Sequence, residues 1–199
     1  MLRTTSFGQL EMSLLDKVIF TLRKRQFRSA LRGELDLAVD LGSGHRAPLL
    51  QTLLREGIIG RGHAIDLSLD KTIFSDQLSG EEHDLNTGTV SFPEESADLV
   101  VSLAILEHLT NPEHHVREAF RLLGKGKKLV LTTPSPYGKP VLEFMAYRLG
   151  VIDEAEIRDH KHYFTKDELR TLLTEVGFQD VKVHFFLFGL NTIAIGEKR

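Results

Sequence analysis

The chain has 199 residues, a net charge of −3, 41% hydrophobic and 27% charged side chains, and no cysteine. That length suits one packed domain burying roughly 70% of its unfolded surface, and the missing cysteine excludes disulfide frameworks, thiolate metal sites and cysteine nucleophiles. The mildly acidic balance exerts no pull toward nucleic acid, and no apolar run nears the ~20 residues of a membrane span.

The chain opens MLRTTSFGQLEMSLLDK, too punctuated by charge for a signal peptide, so a cytoplasmic protein is expected. Over residues 1–32, Arg3, Lys17, Arg23, Lys24, Arg25, Arg28 and Arg32 face only Glu11 and Asp16, leaving this segment at about +5 and the remainder at about −8. Leu10, Leu14, Val18 and Leu22 recur every four residues, the stripe of an amphipathic helix. It reads as a docking helix with a solvated basic face. The sharper alternative is a basic lip over a site for an acidic or lipid-phosphate substrate, or a weak membrane-surface contact.

From residue 33 to 199 apolar runs alternate with helical patterns. Residues 35–41 predict a strand, followed by a loop over 42–46. Residues 48–56 predict a helix closed by Gly57, 61–67 a second strand and 69–78 a short helix. A buried strand follows at 98–102. Asn111 caps a helix over 112–123 with Pro112 at its first position. The next strand, 127–133, stops at Pro134 and Pro136. Thr165 and Glu168 form a capping box for a helix ending at Gly177. Two β-rich runs, 181–188 and 191–196, are joined by only two residues and predict an antiparallel hairpin. Strands alternating with helices imply a doubly wound, mostly parallel sheet with helices on both faces. The long irregular stretches 79–97 and 134–163 are where function is expected to lie, the second as a substrate-side insert of one single domain.

In such a sheet ligands bind outside the carboxyl ends of the strands. The first loop reads Asp40-Leu41-Gly42-Ser43-Gly44, where two glycines permit a tight turn and close approach of a ligand. Asp66 ends the second strand, placed to accept bonds from both hydroxyls of a ribose. Gly42-x-Gly44-x-x-Ala47 also matches a dinucleotide fingerprint, which keeps a nicotinamide-dependent oxidoreductase among the readings. Asp40 argues against it. An acid ahead of the glycines repels a pyrophosphate and suits a ligand bearing an ammonium group. Asp84, in His83-Asp84-Leu85-Asn86, is placed to meet an adenine or to cap its own loop.

Five segments in order, VDLGSG (39–44), AIDLS (64–68), ADLVVSLAILEHLTNPE (97–113), EAFRLLGKGKKLVLTTPSPYG (118–138) and HYFTKDELRTLLTEVGF (162–178), resemble the class I S-adenosylmethionine-dependent methyltransferases in their small single-domain form. The resemblance implies a seven-stranded sheet and S-adenosylmethionine as cofactor, with S-adenosylhomocysteine as its product. It assigns Asp40, Gly42, Ser43 and Gly44 to the methionine moiety and Asp66 to the ribose. Leu67, Asp84 and Leu85 go to the adenine, and Leu103, Ala104 and His108 to the wall beyond the fourth strand. Arg46 stands where the family often carries a third glycine, and Lys125-Gly126 where it often has two.

Methyl transfer asks the protein for position and exclusion of water, with a base only for poorly acidic acceptors. His108 is the expected catalytic or substrate-facing residue, with Glu107, His160, His162 and Tyr163 on the substrate side. His160-x-His162 has metal-ligand spacing but no third ligand, so no metal is expected. His114 and His115 are expected at the surface. Ser102-Leu103-Ala104-Ile105 lacks the polar tetrapeptide that holds a base, so the acceptor is expected to be a small molecule: a metabolite, sugar or lipid precursor. A non-catalytic S-adenosylmethionine-binding regulator is the alternative from another class.

Overall fold

The computed structural model describes residue 31, residues 34–148 and residues 154–199. The amphipathic helix expected over 1–32 thus falls outside the described residues, Leu31 excepted. Among the described residues no helix is long and apolar enough to cross a membrane.

Seven strands form one sheet in the order β3-β2-β1-β4-β5-β7-β6. They are β1 (Leu37–Leu41), β2 (Arg61–Asp66), β3 (Leu78–Glu82), β4 (Ala97–Leu103), β5 (Leu123–Pro134), β6 (Gln179–Phe186) and β7 (Asn191–Glu197). The first five pair in parallel, while β7 runs antiparallel to both β5 and β6. The doubly wound sheet and its terminal hairpin are therefore those the sequence pattern predicts. The helices are α1 (Pro48–Arg55), α2 (Pro112–Leu122), α3 (Lys139–Tyr147), α4 (Glu154–Arg158) and α5 (Lys166–Val176).

The central strands are buried on both faces, and their side chains alternate between two cores as strand geometry requires. Val39, Val100, Leu129, Leu131 and Ala194 join α2 and α5 in one core through Val116, Ala119, Leu169 and Leu173. Ala38, Leu99, Val101, Val130 and Ile193 join Leu49, Leu50 and Leu53 of α1 in the other. Each fully buried leucine contributes about 1.5–3 kcal/mol of hydrophobic stabilisation. The predicted caps hold: Asn111 accepts from the His114 N–H at 3.0 Å, and Thr165 and Glu168 exchange bonds at α5.

Three expectations fail locally; one is the stretch 134–163, expected to be irregular, which carries α3 and α4. The helix expected over 69–78 is a single 3₁₀ turn, Lys71–Ile73, because Asp70 caps Thr72 and the chain then extends into β3. β3 itself went unpredicted. Its LSGEE sequence, half exposed at the sheet edge, carries no apolar alternation. His115 is not at the surface either. It is 2% exposed, and its Nε2 lies 2.9 Å from Ser102 Oγ, tying α2 to β4. Burial, and then neighbouring His114, pull its pKa down to about 4.

Between pH 6.5 and about 4 the unfolded chain therefore binds a proton at His115 that the folded chain refuses, and stability falls as pH falls through that window. We expect His115→Gln to flatten that part of the acid limb, measured as the difference between variant and parent denaturant midpoints from pH 7 to 4. Parallel midpoints would remove His115 from the acid transition.

Candidate functional site

The chain runs outward from β1 to β2 and β3, then crosses back to lay β4 on the other side of β1. The connections leaving β1 and β4 diverge at this reversal, which opens a crevice at the carboxyl edge. A cavity of about 440 Å³ lies there, within the range of small-molecule sites. Gly42, Asp66, Leu67, Asp84, Leu85 and His108 line it, all of them predicted site residues.

The loop after β1 is fastened to β2. The Gly42 and Ser43 N–H groups both donate to the Ile65 carbonyl, at 2.8 and 3.1 Å. The Asp66 carboxylate accepts from Gly44 N–H through Oδ2 and from Leu67 N–H through Oδ1, each at 2.8 Å. Each oxygen keeps a lone pair for a ligand. Gly42 adopts φ +86°, and a Cβ there would stand 2.1 Å from Ile105 Cγ1. Only glycine lets this loop turn left-handed while Ile105 packs over it.

Asp40, at the end of β1, is 2% exposed, and its Oδ1 has no hydrogen-bond partner among the described residues. Burial, and then the nearby Asp66 carboxylate, push its pKa up to about 8. An orphaned acid under a glycine turn is suited to a cationic ligand group that neutralises it. Arg46 does not compete for that place. It is exposed and pairs with Asp70 at 3.5 Å.

On the opposite wall Asp84 Oδ1 accepts from the Asn86 N–H at 2.9 Å, so Asp84 both caps its loop and faces the cavity. Neighbouring His83 also lines the cavity, with a buried Nε2 that lacks a partner among the described residues. Beyond β4 the wall is made by Ile105 and Leu109, not by Leu103 or Ala104. Ala104 instead takes φ +55°, turning the chain from β4 into the 3₁₀ turn Leu106–His108.

That turn receives the segment 159–163. His108 is 5% exposed, and its Nδ1 donates to Asp159 Oδ2 at 3.0 Å. The Lys161 N–H donates to the Glu107 carbonyl at 2.8 Å, and the Lys161 ammonium reaches the His108 carbonyl. Asp159 and Lys161 enter the cavity wall, although the sequence singled out only His160, His162 and Tyr163 of this stretch as substrate-side residues. The stretch Asp159-His160-Lys161-His162-Tyr163 is polar throughout, and nothing local says which of its members face inward. His160 stacks edge-on against His108, with centroids 4.8 Å apart, and its Nδ1 lies 2.9 Å from the Tyr163 hydroxyl. Burial pulls the His160 pKa down to about 4 despite Asp159, and burial with Glu143 pushes Tyr163 up to about 12. Glu107 is buried behind the turn, while His162 is half-exposed and turns away to Glu168 at 3.2 Å.

Residues 15–183 match a family model described as a methyltransferase domain. Over 149 residues the chain is 29% identical to a Mycobacterium tuberculosis H37Rv protein named as a probable S-adenosylmethionine-dependent methyltransferase, covering 73% of this chain and 48% of that protein. The chain thus spans about half the length of the curated relatives it matches. Among solved structures, an S-adenosylmethionine-dependent methyltransferase from Archaeoglobus fulgidus superposes with TM-score 0.71 at 17% identity, covering 92% of this chain and 94% of that one. Another from Mesorhizobium loti gives TM-score 0.67 at 18% identity, covering 87% and 96%.

The packing of Ile105 on the glycine turn is open to test. Gly42→Ala should lower the melting temperature, through a left-handed strain of about 1–3 kcal/mol and the collision with Ile105. Adding Ile105→Ala should restore the collision's share and not the strain's. A Gly42→Ala protein melting with the parent would show that Ile105 does not rest there.

Proposed function

The chain belongs to the class I S-adenosylmethionine-dependent methyltransferases, and from that premise we propose that it transfers a methyl group from S-adenosylmethionine to a small-molecule acceptor. The observation that carries the reading is the pairing of a buried, orphaned Asp40 with Asp66 across a glycine turn that tolerates no side chain. The cofactor offers what each needs: an ammonium group for Asp40 and a ribose diol for the remaining lone pairs of Asp66. Gly42, Ser43 and Gly44 let the backbone approach its methionine moiety, Leu67 and Leu85 pack beside its adenine, and Asp84 meets the adenine edge.

When bound, the cofactor supplies an electrophilic methyl group on a sulfonium. The chain's own part is position and dryness. Ile105 and Leu109 exclude water from one side of the cavity, and the insert after β5 brings Asp159 and Lys161 to its wall. We place the acceptor against His108, whose ring Asp159 holds, with His160 and Tyr163 packed beside that ring; Glu107 and His162, assigned to the substrate side on sequence, lie behind the turn and toward Glu168 and are left out of the acceptor's shell.

Calorimetry with S-adenosylhomocysteine tests the cofactor half. Asp66→Ala should lower affinity tenfold or more while the fold survives, since charge-assisted bonds contribute about 1.5–3 kcal/mol each. A loss under twofold would take Asp66 out of the site. A methyl-release assay over a metabolite panel tests turnover, and binding without release from any acceptor would favour the regulatory reading.

The raised pKa of Asp40 adds a pH signature. Below about 8 the ligand-free protein holds a proton on Asp40, which an entering cation must displace, so affinity should rise as pH rises from about 6 to 8. Asp40→Asn should bind more weakly and without that slope. An equal slope in the variant would assign the proton to another group.

A further inference from the structure

The sequence offered two metal-type ligands, His160 and His162, and no third. The fold separates that pair and supplies a different set. We propose that Glu107, His108 and His160 form a binding site for one divalent first-row transition-metal ion of the zinc or manganese kind, independent of the cofactor.

The argument starts from geometry. Glu107 and His108 are neighbours on the 3₁₀ turn after β4, and His160 arrives from the insert more than fifty residues later. Ligand-type atoms from the three side chains lie within 4.8 Å of one another. Metal–nitrogen bonds of about 2.0–2.1 Å require ligand atoms roughly 3–3.5 Å apart, a closure within reach of side-chain rotation. The Lys161 N–H bond to the Glu107 carbonyl already clamps the insert to the turn.

Two further features belong to a metal site. Each histidine has an outer partner on Nδ1: Asp159 for His108 at 3.0 Å and the Tyr163 hydroxyl for His160 at 2.9 Å. Metal-bound histidines carry such partners, which set the ring's orientation. The donor set is also selective. Two imidazoles and one carboxylate favour zinc, manganese or iron over magnesium or calcium, which prefer all-oxygen shells. Three protein ligands leave coordination positions for water or an acceptor oxygen, and His108 also lines the cavity.

The test uses the full chain, stripped with a chelator and titrated with Zn²⁺ by calorimetry, and with Co²⁺ followed by its visible d–d absorption. One ion per chain is expected, with a Co²⁺ spectrum of mixed nitrogen and oxygen ligation. His160→Ala should weaken uptake tenfold or more, and His162→Ala should leave it within twofold. Glu107 is buried, so Glu107→Gln is informative only if its melting temperature is near the parent's. Half-buried His160 carries the test regardless. Absence of saturable uptake, or equal losses in the His160 and His162 variants, overturns the proposal. S-adenosylhomocysteine titrated into the same samples keeps the two readings apart. Cofactor binding without metal uptake sinks only the metal site, and metal uptake without cofactor binding sinks only the methyl-transfer reading.

Discussion

The Asp66 carboxylate is the tie on which the site depends. With one oxygen it holds the Gly44 amide and with the other the Leu67 amide, so one side chain at the end of β2 sets the loop after β1. The same negative charge reaches Asp40 and adds to the burial that keeps a proton there. The loop, the buried acid and the cavity floor are thus one electrostatic unit. A neutral residue at 66 would loosen the turn and relax Asp40 together.

A second unit faces the first across the cavity. The 3₁₀ turn after β4 is too short to hold itself, and it borrows order from the insert. Asp159 fixes the His108 ring, Lys161 reaches two carbonyls of the turn, and His160 with Tyr163 closes the group. Behind it, His115 and Ser102 anchor α2 to β4. The site is therefore assembled from a rigid floor on the parallel strands and a wall contributed by the insert. In such an arrangement the wall can vary with the insert while the floor on the strands stays constant.

The sheet carries both units because its reversal lies between β1 and β4. Strands buried on two faces leave their carboxyl ends as the open edge to which loops can deliver polar groups. Ala104 marks where that edge is forced, a non-glycine residue at φ +55° between the last strand residue and Ile105. Left-handed alanine costs roughly 1–2 kcal/mol. Here it redirects the chain so that Ile105 covers Gly42 and His108 turns to the cavity.

Local chemistry was enough to read much of this. Apolar periodicity, the Asn111 cap, the Thr165–Glu168 box and the short hairpin link each act within a few residues, and so the alternating fold was legible in order. The glycine loop with Asp40 and Asp66 was legible for the same reason, since turn chemistry and strand ends are local. Tertiary structure alone decided the rest. β3 owes its existence to pairing with β2, because LSGEE has no apolar alternation of its own. His115 is buried because its helix presents that side to β4. His160 and His162, two residues apart in the chain, face different partners, and Glu107 and His108 acquire Asp159, His160 and Lys161 only when the insert folds back. Spacing along a chain reports which residues share a turn or a strand. Which residues meet across a loop of fifty is set by the packing that closes it.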